Sequence, residues 1–309
     1  MRTTFKKFAT LALTLGAVAL HGSFVAADEG SLNVHDGRSG VYKNLDPVSL
    51  EDVSTATEIK AVTMGNVAPM QIWKVLEHGE RVECLDCIPR VKELLWENDS
   101  RTREISAWWL RRRIFGVFGP GQVYEQVLTT LHDSDDDRLR AYAAEAVGEF
   151  LVASGVPHVA QAAVEDDSAR VRVSAVKALT RLNHEGPNGE LGAALGDSSE
   201  DVRLAALHGA LRVHVFSAVD QVVALIDDPS AMVRRKAART LGAMGASDAV
   251  MGLILLTSPD TETDASVRAA AVTALGRIAD TTARPSVLAA EEDPDQYVRD
   301  AARIALRQL

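Results

Sequence analysis

Cysteine, aromatic and basic residues are all scarce in this chain. Two cysteines among 309 residues exclude a disulfide-dense scaffold. Phe, Trp and Tyr together make up 5% of the residues, so the core must rely on small apolar side chains, which favours stacked helices over a β-sandwich. Acidic residues outnumber basic ones by 43 to 33, which argues against a nucleic-acid binder held by phosphate contacts.

Long hydrophobic runs are missing as well. The run from Ala9 to Leu20 has 12 residues, fewer than the roughly 20 that a membrane-spanning helix needs. It follows three basic residues and precedes small residues that end at Ala27, which is the pattern of a signal peptide. We therefore expect residues 1–27 to be cleaved near Ala27 and the protein to be exported to the periplasm or the cell exterior, without stable membrane insertion.

Recognisable catalytic motifs are absent from the sequence. The eight histidines form no H-E-x-x-H pair, and there is neither a G-x-S-x-G elbow nor a phosphate-binding loop. The acidic run from Asp133 to Asp137 lies between predicted helices, where capping and solvation explain it. The sequence therefore predicts a non-enzymatic protein with no catalytic residue, no metal and no cofactor.

What the sequence does contain is a repeat of about 31 residues. Seven segments align on one arginine followed by an Ala-rich pattern, and the intervals between these signature arginines are 37, 32, 31, 31, 34 and 31 residues. The signature arginines are Arg103, Arg140, Arg172, Arg203, Arg234, Arg268 and Arg299. Intervals this regular indicate a repeat architecture.

Each repeat predicts a helical hairpin. Apolar residues lie three, six, seven and ten positions after each signature arginine and form one face of a helix, as in Ala175, Ala178 and Leu179. A shorter apolar helix lies between successive signature helices, and a single hairpin cannot bury its own apolar face. The sequence thus predicts an all-α solenoid, a superhelix of about seven hairpins, with regular repeats over residues 121–309.

The repeated pattern Asp–x–x–Val–Arg–x–x–Ala–x–x–Ala–Leu–Gly resembles the short HEAT-like repeat of the phycobilin lyases. It is most complete in residues 231–244 and 265–278, and the resemblance extends over roughly residues 80–309. The resemblance implies a scaffold with a protein-binding surface, and it leaves a bilin-lyase-like role open as an alternative. It also implies that the signature Asp and Arg side chains form a structural ladder between neighbouring repeats.

The N-terminal part differs from the repeats. Residues 28–68 are polar and predict a loosely structured lead-in, and a helix is predicted from Pro69 to His78. Residues 69–120 contain all four tryptophans and both cysteines, which predicts a Trp-rich cap that covers the end of the solenoid core and includes a first, degenerate repeat. A binding patch at Trp108, with a cation–π contact from Trp108 to Arg112, is the alternative interpretation.

Cys84 and Cys87 form the one motif with redox potential. The favoured interpretation is a local disulfide in an oxidising compartment. A thiol-redox or maturation helper, half of a zinc site and free thiols remain open as alternatives, whereas haem attachment is excluded because Ile88 follows the second cysteine.

Basic residues recur on the exposed side of the signature helices. The positions five and nine residues after each signature arginine carry six Arg or Lys residues in an otherwise acidic chain. We expect these residues, with His208 and Trp108, to bind a protein partner across several repeats: Arg112, Lys177, Arg181, His208, Arg212, Arg239 and Arg277. An acidic protein segment, a phosphate-bearing polymer or an anionic lipid surface would suit such a groove. The helix dipole offers a competing explanation for Arg181, Arg212 and Arg277, which lie near helix C-termini.

Overall fold

The computed structural model describes residues 32–33, 38–39, 54–80, 82–115, 121–183 and 188–309. The predicted signal peptide, residues 1–27, lies outside the described residues. Two short antiparallel strands, β1 (Leu32–Asn33) and β2 (Arg38–Ser39), pair in register Leu32 to Ser39 and Asn33 to Arg38. All other regular elements that the structure describes are helices.

Sixteen helices follow in the described part of the chain. They are α1 (Ala56–Met64), α2 (Pro69–His78), α3 (Ile88–Glu93), α4 (Ser100–Phe115), α5 (Gln122–Asp133), α6 (Asp137–Phe150), α7 (Val156–Glu165), α8 (Ala169–Leu182), α9 (Asn188–Ala193), α10 (Glu200–Ala210), α11 (Val219–Ala224), α12 (Ala231–Met244), α13 (Val250–Leu255), α14 (Ala265–Ile278), α15 (Arg284–Ala289) and α16 (Gln296–Ala305). Short 3₁₀ turns extend most of the shorter helices at one end or at both. The predicted α-solenoid of about seven hairpins is confirmed: α3 to α16 pair as seven hairpins, each with a shorter first helix and a second helix that carries the signature arginine.

The second helices α4, α6, α8, α10, α12, α14 and α16 stack on one another through small residues. An ideal Cβ atom on Gly242 would lie 2.6 Å from Cα of Ala274, and one on Gly276 would lie 2.8 Å from Cα of Ala305. Neighbouring backbones therefore approach more closely than any larger side chain would allow. This contact explains why the repeat uses Ala and Gly where a helix pair in an ordinary bundle uses Leu.

The signature arginines form the predicted ladder. Arg268 donates from Nε and Nη2 to both oxygens of Asp293 in the next hairpin, at 2.7 and 2.9 Å, and from Nη1 to the carbonyl oxygens of Glu262 and Thr263. The same bidentate arrangement recurs in the pairs Arg140–Asp166, Arg172–Asp197, Arg203–Asp228 and Arg234–Glu262. The structural interpretation of these arginines is confirmed, but their partner is not the Asp of the repeated pattern. The partner carboxylate lies six residues before the next signature arginine, whereas the pattern's Asp, as in Asp264 and Asp295, caps a signature helix.

Hydrogen bonds also stabilise the ionised form of the ladder carboxylates, as Asp293 shows. Burial raises the pKa of Asp293, but hydrogen bonds from Arg268 and from the backbone N–H of Asp295 outweigh it and lower the pKa below its usual range. Two signature arginines depart from the pattern. Arg103 pairs with Glu145 of α6, and Arg299 donates to the carbonyl oxygens of Asp293 and Pro294, with no carboxylate within 4.0 Å among the described residues.

The last part of the lead-in, residues 54–68, is more ordered than the sequence predicts. Residues 28–68 are predicted to be loosely structured, yet α1 forms within them, because Thr55 and Glu58 make a reciprocal capping box and Ile59 is fully buried. The predicted helix from Pro69 to His78 is confirmed as α2.

The predicted Trp-rich cap packs around α4. Trp109 is fully buried, and its indole N–H donates to the carbonyl oxygen of Gly79 at 3.1 Å. The guanidinium of Arg113 lies 3.7 Å from the centre of the Trp109 ring and donates to the carbonyl oxygen of Val82. Trp73 of α2 donates a hydrogen bond from its indole N–H to the hydroxyl oxygen of Thr102 in α4. These contacts tie α2 and the loop after it to the first hairpin.

Cys84 and Cys87 form a disulfide in the structure. Both side chains are fully buried, beside α1 and at the start of α3. This geometry suits the structural interpretation of the pair, because neither sulfur is exposed to an incoming thiol.

Candidate binding groove

A groove of about 630 Å³ runs across the second helices α4, α6, α8 and α10. The positions that line it are set by the repeat: Ser174, Lys177 and Arg181 follow Arg172 by two, five and nine residues, and Ala205, His208 and Arg212 follow Arg203 at the same spacing. Spacings of three and four residues place each set along one stripe, with Arg212 in the turn that follows α10. The structure therefore brings four of the predicted partner-binding residues together: Lys177, Arg181, His208 and Arg212.

The acidic residues of the groove are each paired with an arginine. Glu104 lies 3.1 Å from Arg101, Glu145 lies 2.7 Å from Arg103, and Glu149 lies 2.5 Å from Arg181. All three carboxylates belong to α4 and α6, at the N-terminal end of the groove. The acidic charge here is therefore largely compensated by the protein itself.

The basic residues toward the other end are not compensated. Among the described residues, no carboxylate lies within 4.0 Å of Lys177, Arg212 or the neighbouring Lys236 of α12. Burial lowers the pKa of His208, and the charges of Lys236, Arg212 and Lys177 lower it further. Lys177, Arg212 and Lys236 thus place three positive charges around His208, and we call these four residues the cationic cluster.

Glu149 has the most strongly shifted pKa of the groove. Burial raises it to about 7, against the opposing charge of Arg181, and the charge of Glu104 adds to the increase. A carboxylate with this pKa exchanges a proton close to neutral pH. No pattern in the sequence indicates this pKa shift, although Glu149 and Arg181 both follow their signature arginines by nine residues and so are neighbours in the stack.

Four other predicted residues lie elsewhere. Arg112 points to the cap, 3.8 Å from Glu80 and 3.7 Å from Glu83. Trp108 is half-buried and does not line the groove, and the cation–π contact in this region joins Arg113 to Trp109 rather than Arg112 to Trp108.

Arg239 and Arg277 are exposed on α12 and α14, beyond the groove. They extend the same register of the repeat toward the C-terminal hairpins. The structure therefore gathers the central members of the predicted set and separates the outer ones.

One contact outside the groove could not be read from the sequence. Nε2 of His132 lies 2.8 Å from Nδ1 of His158 on the shorter helices α5 and α7. Burial, and then the charge of His132, lower the pKa of His158. Within the described residues, no group of three or more His, Cys, Asp or Glu side chains is arranged to hold a metal ion. Over the same residues, no helix has both the length and the hydrophobicity that crossing a bilayer requires.

Comparisons with known proteins agree with this fold. The HEAT-repeat family matches residues 188–263 and 254–309. Among solved structures, YibA of Escherichia coli is 15% identical with a TM-score of 0.54, over 85% of this chain and 96% of that one. A chain of the complex of Kap95p with RanGDP is 13% identical with a TM-score of 0.58, over 80% of this chain and 37% of that one.

The resemblance to phycobilin lyases is also found among solved structures. The CpcE–CpcF complex of phycocyanin lyase from Nostoc sp. PCC7120 is 19% identical with a TM-score of 0.39, over 72% of this chain and 86% of that one. A TM-score this low carries no argument about the function of this chain. No curated protein sequence matches the chain.

Proposed function

We propose that this protein, which carries HEAT repeats, is a non-catalytic scaffold that binds an acidic segment of a partner protein along the groove. The observation that carries the proposal is the uneven pairing of charges. The groove carboxylates already have arginine partners, whereas Lys177 and Arg212 have no carboxylate within 4.0 Å among the described residues. The charge left for a ligand is therefore positive, and it attracts an acidic partner.

The helix dipole accounts for only part of the cationic cluster: His208 and Arg212 lie at the C-terminal end of α10, where it favours cations. Lys177 lies in the middle of α8, and Lys236 lies in the first half of α12, so neither is in the last turn, where the dipole favours cations. Arg181, which the dipole does favour, is engaged by the internal carboxylate of Glu149, as Arg103 is by Glu145. Lys177 and Lys236, which the dipole explains least, are thus among the cations without a carboxylate within 4.0 Å in the described part of the chain.

An extended protein segment suits this site better than a small molecule. The groove crosses four successive second helices and is open along its length, so a segment could contact several repeats in turn. Kap95p, a protein of similar fold, binds RanGDP. We therefore include a protein partner in the proposal rather than a free anion.

The two alternative functions have less support. The buried Cys84–Cys87 disulfide does not offer a sulfur to a client thiol, which a redox helper needs. A bilin-lyase-like role rests on the repeat alone, and a fold does not carry its relatives' chemistry with it.

Export remains part of the proposal. The support comes from the signal-peptide pattern that ends at Ala27, together with a disulfide of the kind that oxidising compartments maintain. Expression of the full chain in a bacterium, followed by mass spectrometry of the periplasmic fraction, tests it. A chain that starts at Asp28 is expected, and a full-length chain retained in the cytoplasm would contradict export.

The binding proposal is tested with fluorescein-labelled decaglutamate, followed by fluorescence anisotropy at pH 7. The double variant Lys177→Glu/Arg212→Glu should weaken binding about tenfold or more, because two favourable charges become unfavourable. The matched control is Arg90→Glu/Arg284→Glu, which changes the net charge equally at two exposed arginines outside the groove. Equal affinities of the two double variants would overturn the proposal.

A further inference from the structure

The ion pair of Glu149 and Arg181 lies inside the groove, where an acidic ligand would compete with Glu149 for Arg181. The side chain of Glu149 is 13% exposed, whereas that of Arg181 is 47% exposed. The arginine is therefore accessible from the groove while the carboxylate lies beneath it. An acidic ligand in the groove would meet the arginine first.

The neighbouring Arg103–Glu145 pair shows what a purely structural pair looks like in the same groove. Arg103 is 8% exposed, it also donates to the carbonyl oxygens of Glu97 and Asn98, and its guanidinium lies 3.7 Å from the centre of the Tyr142 ring. Arg181 has Glu149 as its one ion-pair partner among the described residues. It can therefore turn to another carboxylate without leaving further bonds broken.

The surroundings of Glu149 favour its neutral form once Arg181 is engaged elsewhere. The charged groups that face it are Arg181 from α8 and Glu104 and Arg111 from α4. Burial and Glu104 favour the protonated acid, and the two arginines favour the carboxylate. Loss of the attraction from Arg181 therefore leaves a buried carboxyl group that takes up a proton from solvent.

We propose that Glu149 is an internal competitor that occupies Arg181 in the unbound protein, and that the acidic partner displaces it with a carboxylate of its own. The partner then needs at least two acidic groups, one for Arg181 and one for the cationic cluster of Lys177, His208, Arg212 and Lys236. This inference rests on the proposed function and specifies the ligand of the same groove.

A proton balance follows from the displacement. The ligand carboxylate binds Arg181 as an anion, and Glu149 changes from carboxylate to carboxylic acid by taking one proton from the solvent. Because the complex holds more protons than the free groove, affinity rises as pH falls. His208 also gains a proton more readily beside a bound carboxylate, so its share must be separated from that of Glu149.

Titration calorimetry with decaglutamate at pH 6 and pH 8, in two buffers of different ionisation enthalpy, measures affinity and proton uptake together. The peptide stays fully ionised over this range because its carboxyl groups titrate near pH 4. Since Glu149 titrates at about 7 in the free protein, wild type should bind about fivefold to tenfold more tightly at pH 6 than at pH 8.

Glu149→Gln removes the competitor's charge and its titration. The variant should bind at pH 8 at least as tightly as wild type does at pH 6, with reduced proton uptake. Glu165→Gln, an exposed carboxylate outside the groove, should behave like wild type. His208→Asn should lose part of the pH dependence and keep the part due to Glu149.

The outcomes separate the two proposals. A pH dependence that is the same in Glu149→Gln as in wild type, or proton release on binding, would overturn the competitor role while leaving the groove proposal standing. Failure of decaglutamate to bind wild type at either pH would overturn both. Far-ultraviolet circular dichroism of each variant confirms that the helices are intact before binding is compared.

Discussion

The second helices carry two sets of cationic residues that differ in what surrounds them. The signature arginines lie at the edge of the stack, where five of them are held in bidentate pairs with a carboxylate of the next hairpin. The cations of the groove lie five or nine residues further along the same helices and remain exposed. A difference of one or two helical turns thus separates residues that hold the stack together from residues left for a ligand.

The comparison shows why the charge of a residue alone predicts little. Arg268 and Arg277 belong to the same helix, α14, yet Arg268 is 4% exposed and bound to Asp293, whereas Arg277 is exposed. Removing one partner of a buried pair leaves the other charge without compensation, which costs far more than removing a charge from the surface. Mutation should therefore lower stability strongly at the ladder arginines and hardly at all at the exposed cations.

The largest expected effect is on the ladder. Arg268→Ala should lower the free energy of unfolding by about 3–5 kcal/mol, because Asp293 would remain buried and unpaired. Arg277→Ala on the same helix should change it by less than about 0.5 kcal/mol. Urea unfolding followed by circular dichroism measures both.

Arg299 supplies a second control for the ladder. It makes the same bonds to two carbonyl oxygens but has no carboxylate within 4.0 Å among the described residues, so Arg299→Ala should cost about 1–2 kcal/mol. A loss as large as that of Arg268→Ala would show that the carboxylate contributes little to the ladder.

In the groove, replacing Glu149 should raise stability above neutral pH rather than lower it. The pKa of Glu149 is raised in the folded protein, so the folded state binds more protons than the unfolded state between about pH 4.5 and 7, and stability falls as pH rises through this range. Glu149→Gln should remove that loss. Its stability relative to wild type should improve by about 2 kcal/mol between pH 5 and pH 8.

Denaturant unfolding at those two pH values tests the sign directly. Glu165→Gln serves as the control, because its carboxylate is exposed. A stability difference between Glu149→Gln and wild type that does not change with pH would contradict the raised pKa.

The close stacking of the second helices gives the smallest of these effects. Gly242→Ala should destabilise the protein by about 1–2 kcal/mol, since the new methyl group meets the backbone of Ala274 and outweighs the usual helical preference for alanine. Gly189→Ala is the matched control, because no atom of the residues that the structure describes lies within 4 Å of a Cβ atom there. Thermal unfolding that ranks the two variants in the reverse order would contradict the stacking argument.

The repeat spacing predicted the architecture, because each signature arginine fixes the register of a whole hairpin. It also predicted which positions face the groove, and Lys177, Arg181, His208 and Arg212 lie there as expected. Arg112 was expected in the groove but lies beside Glu80 and Glu83 of the cap instead. The repeat spacing could not predict this, because these two residues lie outside the repeated pattern.

Two features of the structure have a signal in the sequence besides the spacing of the signature arginines. Thr55 and Glu58 have the spacing of a capping box, which marks the start of α1. Glu149 and Arg181 share one register position in consecutive repeats, which makes them neighbours. By contrast, the pKa of Glu149 depends on burial beneath Arg181, and no spacing in the sequence reports how deeply a side chain is buried.

The most direct test of the division between ladder and groove is a thermal shift measurement with and without decaglutamate. It compares wild type, Lys177→Glu/Arg212→Glu and the control Arg90→Glu/Arg284→Glu. Without peptide, all three should unfold at nearly the same temperature, because none of the four residues has a carboxylate within 4.0 Å among the described residues.

With peptide at about 100 times its dissociation constant, wild type and the control should gain about 2.7 kcal/mol of stability and unfold at a higher temperature. The groove variant, which binds about tenfold more weakly or worse, should gain at most about 1.4 kcal/mol, roughly half of the wild-type increase. A shift in the groove variant as large as in wild type would contradict the account, as would a drop of many degrees in its unfolding temperature without peptide.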